Sequence, residues 1–118
     1  MAHHVDIGRS GENLALEYLI HHGYNILEKN WRHNKCEVDL IAWKNEVLHF
    51  FEVKTRTTEE FGLPEEKVNK KKISNLLKAA SEYIYLHPEW KRIQLDILSI
   101  KMLVGEPVEY FLIEDVYL

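Results

Sequence analysis

Apolar residues group first between Ser10 and His22. Leu14, Ala15, Leu16, Tyr18, Leu19 and Ile20 form one broad apolar side at helical spacing, which predicts a helix over Ser10–His22. Ser10 suits the N-cap, because its hydroxyl accepts a hydrogen bond from an orphan first-turn N–H. Gly23 offers the left-handed stop. Glu12 precedes Ala15, Leu16 and Leu19 by three, four and seven positions. That spacing puts a carboxylate on or beside the apolar side, where a charge without a partner is costly.

Three strand-like runs follow: a short one at Tyr24–Asn30, then Glu37–Trp43 and Glu46–Thr55. Lys44-Asn45 separates the last two at hairpin length, and Asn tolerates positive φ. Pro64 opens a segment, Glu65–Leu86, in which Val68, Ile73, Leu76, Leu77, Ala80, Tyr83 and Ile84 recur at helical spacing; Pro88 closes it. Ile93–Ile100 alternates weakly, as a strand does, and Val108–Ile113 is a last apolar run. The order α-β-β-β-α-β-β predicts an α/β domain, a mixed central sheet flanked by helices. No repeat, linker or composition break divides 1–118, so a single domain is expected.

Side chains alternate faces along a strand. Glu37, Asp39 and Ile41 therefore share one face, and Leu48, Phe50, Glu52 and Lys54 share another. With Lys44-Asn45 as a two-residue turn, Trp43 pairs with Glu46, Asp39 with Phe50, and Glu37 with Glu52. Asp39 and Glu52 become diagonal neighbours, roughly 7–8 Å apart, with Lys54 one step further. Like charges so placed destabilise a sheet, and a hard divalent cation removes the conflict. Mg²⁺ takes one or two carboxylates and completes its octahedron with water and phosphate oxygens.

Asp39 and Glu52 are thus candidate ligands for Mg²⁺ or Mn²⁺, with the Val53 carbonyl as a third. Lys54 is placed to neutralise charge developing at phosphorus, or to orient and deprotonate the attacking water. Glu12 reaches the same pocket if its helix crosses that face. An acid-x-Lys strand taken alone is commonly a solvent-facing charge pair; the pairing with Asp39 and the odd position of Glu12 set this one apart.

Composition narrows the partners. The chain has 118 residues, 46% hydrophobic and 29% charged, as in a soluble globular protein. No run approaches the ~18 apolar residues of a membrane span, and the N-terminus lacks a secretory h-region. One cysteine, Cys36, excludes an internal disulfide framework, so a cytoplasmic location and no membrane partner are expected. The net charge of −4 argues against a generic basic coat for nucleic acid. Yet Lys67, Lys70, Lys71, Lys72 and Lys78 lie in 67–78 with no acid among them, while Glu106, Glu109, Glu114 and Asp115 follow Lys101 with no base. Lys70-Lys71-Lys72 reads either as a solvated helix face or, beside a metal-bearing cleft, as a phosphate rail.

Other chemistry is poorly represented. His3-His4 and His21-His22 are adjacent pairs without the spacing or cysteine partners of a zinc site. Cys36 has no base beside it in sequence and reads as a small apolar residue. No glycine-rich phosphate loop is present. Trp31, Trp43 and Trp90 suit packing better than base stacking.

Glu12, Asp39 and Glu52-Val53-Lys54, with twelve residues between the two strand acids, resemble the PD-(D/E)xK nuclease superfamily. The closer likeness is to archaeal Holliday-junction resolvases, which combine a helix acid, a strand Asp and Glu-x-Lys. Over nearly the whole chain the sequence is similar to the small bacterial UPF0102 (YraN-like) family. Gly8, Gly11-Glu12, Ala15, Tyr18-Leu19, Gly23-Tyr24, Ile26-Leu27, Asn30-Trp31-Arg32, Glu37-Val38-Asp39-Leu40-Ile41-Ala42 and Phe51-Glu52-Val53-Lys54-Thr55-Arg56 carry that likeness. Cys36 departs from the glycine usual there, which puts the entry of that strand in question.

The resemblance implies a restriction-endonuclease-like core, metal ligands at Asp39 and Glu52, a catalytic lysine at Lys54 and an accessory acid at Glu12. It further implies a phosphate contact at Arg56, although a solvated strand end fits that residue equally. The implied activity is divalent-metal-dependent endonuclease hydrolysis of phosphodiester bonds in DNA, favoured over RNA, with branched or structured DNA as one substrate class. The alternative is a catalytically silent nucleic-acid-binding module of the same fold. A weaker third is an interaction protein using the acidic C-terminal run. Resolvase-like relatives are dimers, so a homodimer is an expectation; the edge near Val108–Ile113 can equally be covered within one chain.

Overall fold

The computed structural model describes residues 11–57 and 70–116. The elements are α1 (Gly11–His21), β1 (Asn25–His33), β2 (Cys36–Lys44), β3 (Val47–Arg56), α2 (Lys70–Leu86), β4 (Ile93–Lys101) and β5 (Glu109–Ile113). The expected order is therefore present. Ser10 as a cap and residues 65–69 of the second helix lie outside the described residues.

One mixed sheet holds the strands in the order β1-β2-β3-β4-β5. Only β3 and β4 run parallel; α2 makes the crossover that a parallel connection requires. Leu14, Ala15 and Leu19 of α1 pack with Leu40, Ala42, Phe51, Leu98 and Ile100 on one face. On the other, Leu76, Ala79, Ala80 and Tyr83 of α2 meet Ile41, Leu48, Phe50 and Leu95. Two helices on opposite faces leave β3 and β4 buried on both sides. This explains the weak alternation of Ile93–Ile100: residues 95–100 are all buried. Trp31, Trp43 and Trp90 border the α2-side core, the packing role expected for them. Among the described residues, no helix is long and apolar enough to cross a membrane.

Both hairpins differ from the expectation at their turns. The first strand continues to His33, which pairs with Cys36 across Asn34-Lys35. Both turn residues have positive φ, 49° and 68°, the pattern of a tight primed hairpin turn. The left-handed positions precede Cys36, so the strand begins there without glycine. The second hairpin turns at Asn45-Glu46 rather than Lys44-Asn45: Lys44 pairs with Val47, and φ is 51° and 65° at the two turn residues. The register therefore moves by two residues, with Ile41, not Asp39, opposite Phe50. The shift carries Asp39 out of the paired ladder, which ends at Leu40↔Phe51, so Asp39 and Glu52 flank the end of the pairing and are not diagonal neighbours within it.

Candidate active site

The β2–β3 ladder ends at Leu40↔Phe51. Beyond it, β2 stays paired with β1 as far as Cys36, and β3 stays with β4 as far as Arg56. The sheet forks at this point. Asp39 stands in the fork, where its Oδ2 accepts the Val53 N–H at 2.7 Å. A carboxylate oxygen thus takes the place of a strand carbonyl, fixing the Asp39 rotamer and satisfying a donor that the fork would otherwise orphan. An extended residue points its C=O to the same side as its N–H, so the Val53 carbonyl is also directed into the fork.

Burial raises the Asp39 carboxyl above its ordinary value; the Val53 N–H opposes this, and the charges of Glu52, Glu12 and Glu37 add to the rise. A carboxylate held among three acids is an attractive place for a cation. Lys72 of α2 answers part of that charge, its Nζ 3.8 Å from Glu52 Oε1. The Lys72 ammonium is raised, first by a hydrogen bond with Lys54, with burial opposing and Glu52 and Asp39 attracting. Asp39, Glu52, Lys54 and Lys72 therefore form one connected group built from β2, β3 and α2.

The group opens into a cleft of about 480 Å³ lined by Glu37, Asp39 and Glu52 and, from α2, by Lys72, Asn75 and Lys78. Asn34 and Lys35 of the β1–β2 turn line its far end. Glu82 fastens that turn to α2: its Oε1 accepts from Asn34 Nδ2 at 3.0 Å and lies 2.8 Å from His33 Nδ1. Among the described residues, no set of three or more His, Cys, Asp or Glu side chains could hold a metal ion. The donors present are two carboxylates and a backbone carbonyl. That set fits Mg²⁺ or Mn²⁺, which keep water and substrate oxygens as remaining ligands, and does not fit an all-protein cage.

Glu12 comes to this region from α1, which packs on the face of Leu40, Ala42 and Phe51. It stands exposed in the first turn, where its Oε2 accepts from Asn30 Nδ2 at 3.4 Å and its charge is felt at Asp39. Gly11 permits this approach, since a Cβ there would overlap the Thr55 methyl.

Arg56 has Nε and Nη1 buried and without a hydrogen-bond partner among the described residues. Buried guanidinium N–H groups are expensive to leave unpaired, so this strand end is not simply solvated. Lys70 and Lys71 are exposed and do not line the cleft; of the lysine run, only Lys72 does. Sequence reasoning missed Lys35 and Asn75, and marked Lys78 only as part of the basic segment 67–78. Lys72, Asn75 and Lys78 recur every three residues along α2, a spacing legible in the chain, whereas Lys35 required the Asn34-Lys35 turn to be recognised.

Comparison with known proteins adds the family. A family model described as "Uncharacterised protein family UPF0102" matches residues 11–100. A UPF0102 protein of Flavobacterium psychrophilum is 43% identical over 100 residues, covering 85% of this chain and 84% of its own. One from Christiangramia forsetii is 42% identical over 111 residues, 93% of each chain. Another, from Caldicellulosiruptor bescii, is 48% identical over 81 residues, 69% of this chain and 68% of its own. The five-stranded mixed sheet with its two helices is compatible with a restriction-endonuclease-like core. With a model match across most of its length and relatives this similar, the chain belongs to the UPF0102 family.

Proposed function

We propose that this protein is a divalent-metal-dependent endonuclease that hydrolyses phosphodiester bonds in DNA, branched or structured DNA included. The observation that carries the reading is Asp39 anchored in the β2–β3 fork beside Glu52 and Lys54, at the acidic end of a cleft whose other end is basic. Asp39 and Glu52, with the Val53 carbonyl, would hold Mg²⁺ or Mn²⁺. Such a cation supplies Lewis-acid polarisation of a phosphate oxygen and offsets negative charge gathering at phosphorus.

The remaining steps belong to the chain. Lys54 orients the attacking water and stabilises the charge that develops as the new O–P bond forms and the ester O–P bond breaks. Water loses a proton to bulk solvent, and the departing oxygen gains one. Lys72 holds Glu52 in place through their ion pair. Glu12 acts as an accessory acid at the cleft margin, and Arg56 contacts a phosphate. Cutting two strands of branched DNA needs two such sites, so a homodimer accompanies that substrate.

Two measurements test the reading. Calorimetric titration of Mn²⁺ into the wild type should give a binding heat that vanishes in an Asp39→Asn, Glu52→Gln double variant. Incubation with forked, nicked and single-stranded DNA in Mn²⁺ should give products bearing new ends with wild type alone. DNA binding without any such product, under Mg²⁺ or Mn²⁺, would instead establish the silent binding module.

A further inference from the structure

The cleft is longer than one phosphate requires. From Asp39 to Cys36 the β2 wall runs three steps, roughly 10 Å at about 3.3 Å per residue, and Lys35 stands in the turn just beyond. From Lys72 to Lys78 the α2 wall rises roughly 9 Å at 1.5 Å per residue. A DNA strand advances about 3.4 Å per nucleotide along a duplex, so the cleft accommodates roughly three. Lys72 meets Glu52 near Asp39, and α2 then runs past Asn75 and Lys78 toward Glu82, which holds the Asn34-Lys35 turn; Glu37 lies on β2 between Asp39 and that turn.

We infer that this cleft is the track for one DNA strand flanking the cut, running from the Asp39–Glu52 pair to the β1–β2 turn, with Lys35 and Lys78 holding the phosphates about three nucleotides away. The inference rests on the nuclease reading and extends it to substrate positioning. Lysine heads and an Asn amide are donors that suit phosphate oxygens, and contacts of this kind fix register on the strand without reading bases. The turn that carries Lys35 is not a loose tip, because Glu82 ties Asn34 to α2. The two basic walls are thereby held at a set separation.

The balance of charge couples the track to the cation. Three lysines in the lining, Lys35, Lys72 and Lys78, face three acids, Glu37, Asp39 and Glu52. The lining alone is close to neutral. A divalent ion at Asp39 and Glu52 makes it net positive, so strand binding is expected to strengthen when the cation is present.

The test is fluorescence anisotropy with a labelled forked DNA in CaCl₂, between 50 and 200 mM KCl. Each lost phosphate contact lowers the slope of log K against log[salt] by about 0.7 on single strands and 0.9 on duplex. A Lys35→Gln, Lys78→Gln variant should lose about 1.4–1.8 from the slope. Wild type then loses roughly 7–12-fold more affinity across that fourfold salt range than the variant does. Lys91→Gln, in the loop between α2 and β4, should leave the slope unchanged. Wild-type binding with the same slope in the double variant overturns the track and leaves the nuclease reading to its own cleavage assay. No binding by the wild type in calcium overturns both.

Discussion

Asp39 Oδ2 accepts the Val53 N–H at 2.7 Å just past the last backbone pair between β2 and β3. One hydrogen bond thus has two consequences. It closes a gap in the sheet's main-chain bonding, and it fixes a carboxylate where burial and Glu52, Glu12 and Glu37 all disfavour its charge. The position trades stability for chemistry, and the trade is measurable.

Asp39→Asn keeps an amide oxygen able to accept from Val53 and removes the disfavoured charge. In EDTA at neutral pH the variant should be more stable than wild type by up to about 1 kcal/mol, the size of a like-charge contact between facing strand residues. It should also lose the Mn²⁺ binding heat and cleavage by at least about 100-fold, as expected when charge stabilisation of the transition state is removed. Thermal melts with and without Mn²⁺ check both halves. A variant that melts lower in EDTA would show that the charge itself supports the fork.

The same residue sets a pH dependence. Because the folded state raises the Asp39 carboxyl, it holds that proton more tightly than the unfolded chain does. Between the ordinary carboxylate value and the raised one, the folded state binds more protons, so stability falls as pH rises through this window. Urea titrations of the cation-free protein from about pH 4 upward, set against Asp39→Asn, isolate this contribution as their difference. The difference should be absent below the ordinary carboxylate value and should grow as pH rises. Saturating Mn²⁺ should reverse it, since a cation stabilises the charged form. A pH-independent difference would rule out the ionisation as its source.

Gly11 and Thr55 form the joint that brings α1 down on β3. A Cβ at Gly11 would overlap the Thr55 methyl. Thr is short and branched, so it cannot swing aside as a long side chain would. Gly11→Ala should therefore cost about 1–3 kcal/mol through overpacking, despite Ala's better helix propensity. Thr55→Ser removes the methyl and should restore most of the loss. Equilibrium unfolding of both single variants and the double variant gives the coupling directly, and additive effects would place the cost elsewhere.

The candidate site was more legible in the chain than the hairpins. Asp39, Glu52 and Lys54 could be read as neighbours because a register error of two residues still brings the same stretches of β2 and β3 together. The turn was harder to read, since Lys44-Asn45 and Asn45-Glu46 are both plausible from composition; the second places two non-glycine residues at positive φ. Its neighbour at Asn34-Lys35 shares that difficulty, and with it the far wall of the cleft went unseen. Helical periodicity marked Glu12 as an oddly placed acid, and its charge does act on Asp39, but periodicity could not say which face of the sheet α1 would cover. That choice belongs to tertiary packing.

The pair least visible in the sequence is His49 and Asp96, 47 positions apart and buried, with His49 Nδ1 2.7 Å from Asp96 Oδ2. The other carboxylate oxygen, Oδ1, accepts from Gln94 Nε2 at 3.0 Å and from the Asp115 N–H at 2.8 Å. Asp96 is fully buried, so its charge is supported by these contacts alone among the described residues. It joins β3 to β4 and ties down the segment after β5. Removing one member strands the other. Asp96→Ala should cost about 3–5 kcal/mol, and replacing both by apolar residues of similar volume should recover much of that loss. Chemical denaturation of Asp96→Ala against a His49→Phe, Asp96→Leu double variant is the comparison to make. If the double variant proved as unstable as the single, the pair's contribution would lie in its hydrogen bonds to Gln94 and Asp115 rather than in the match between its two members.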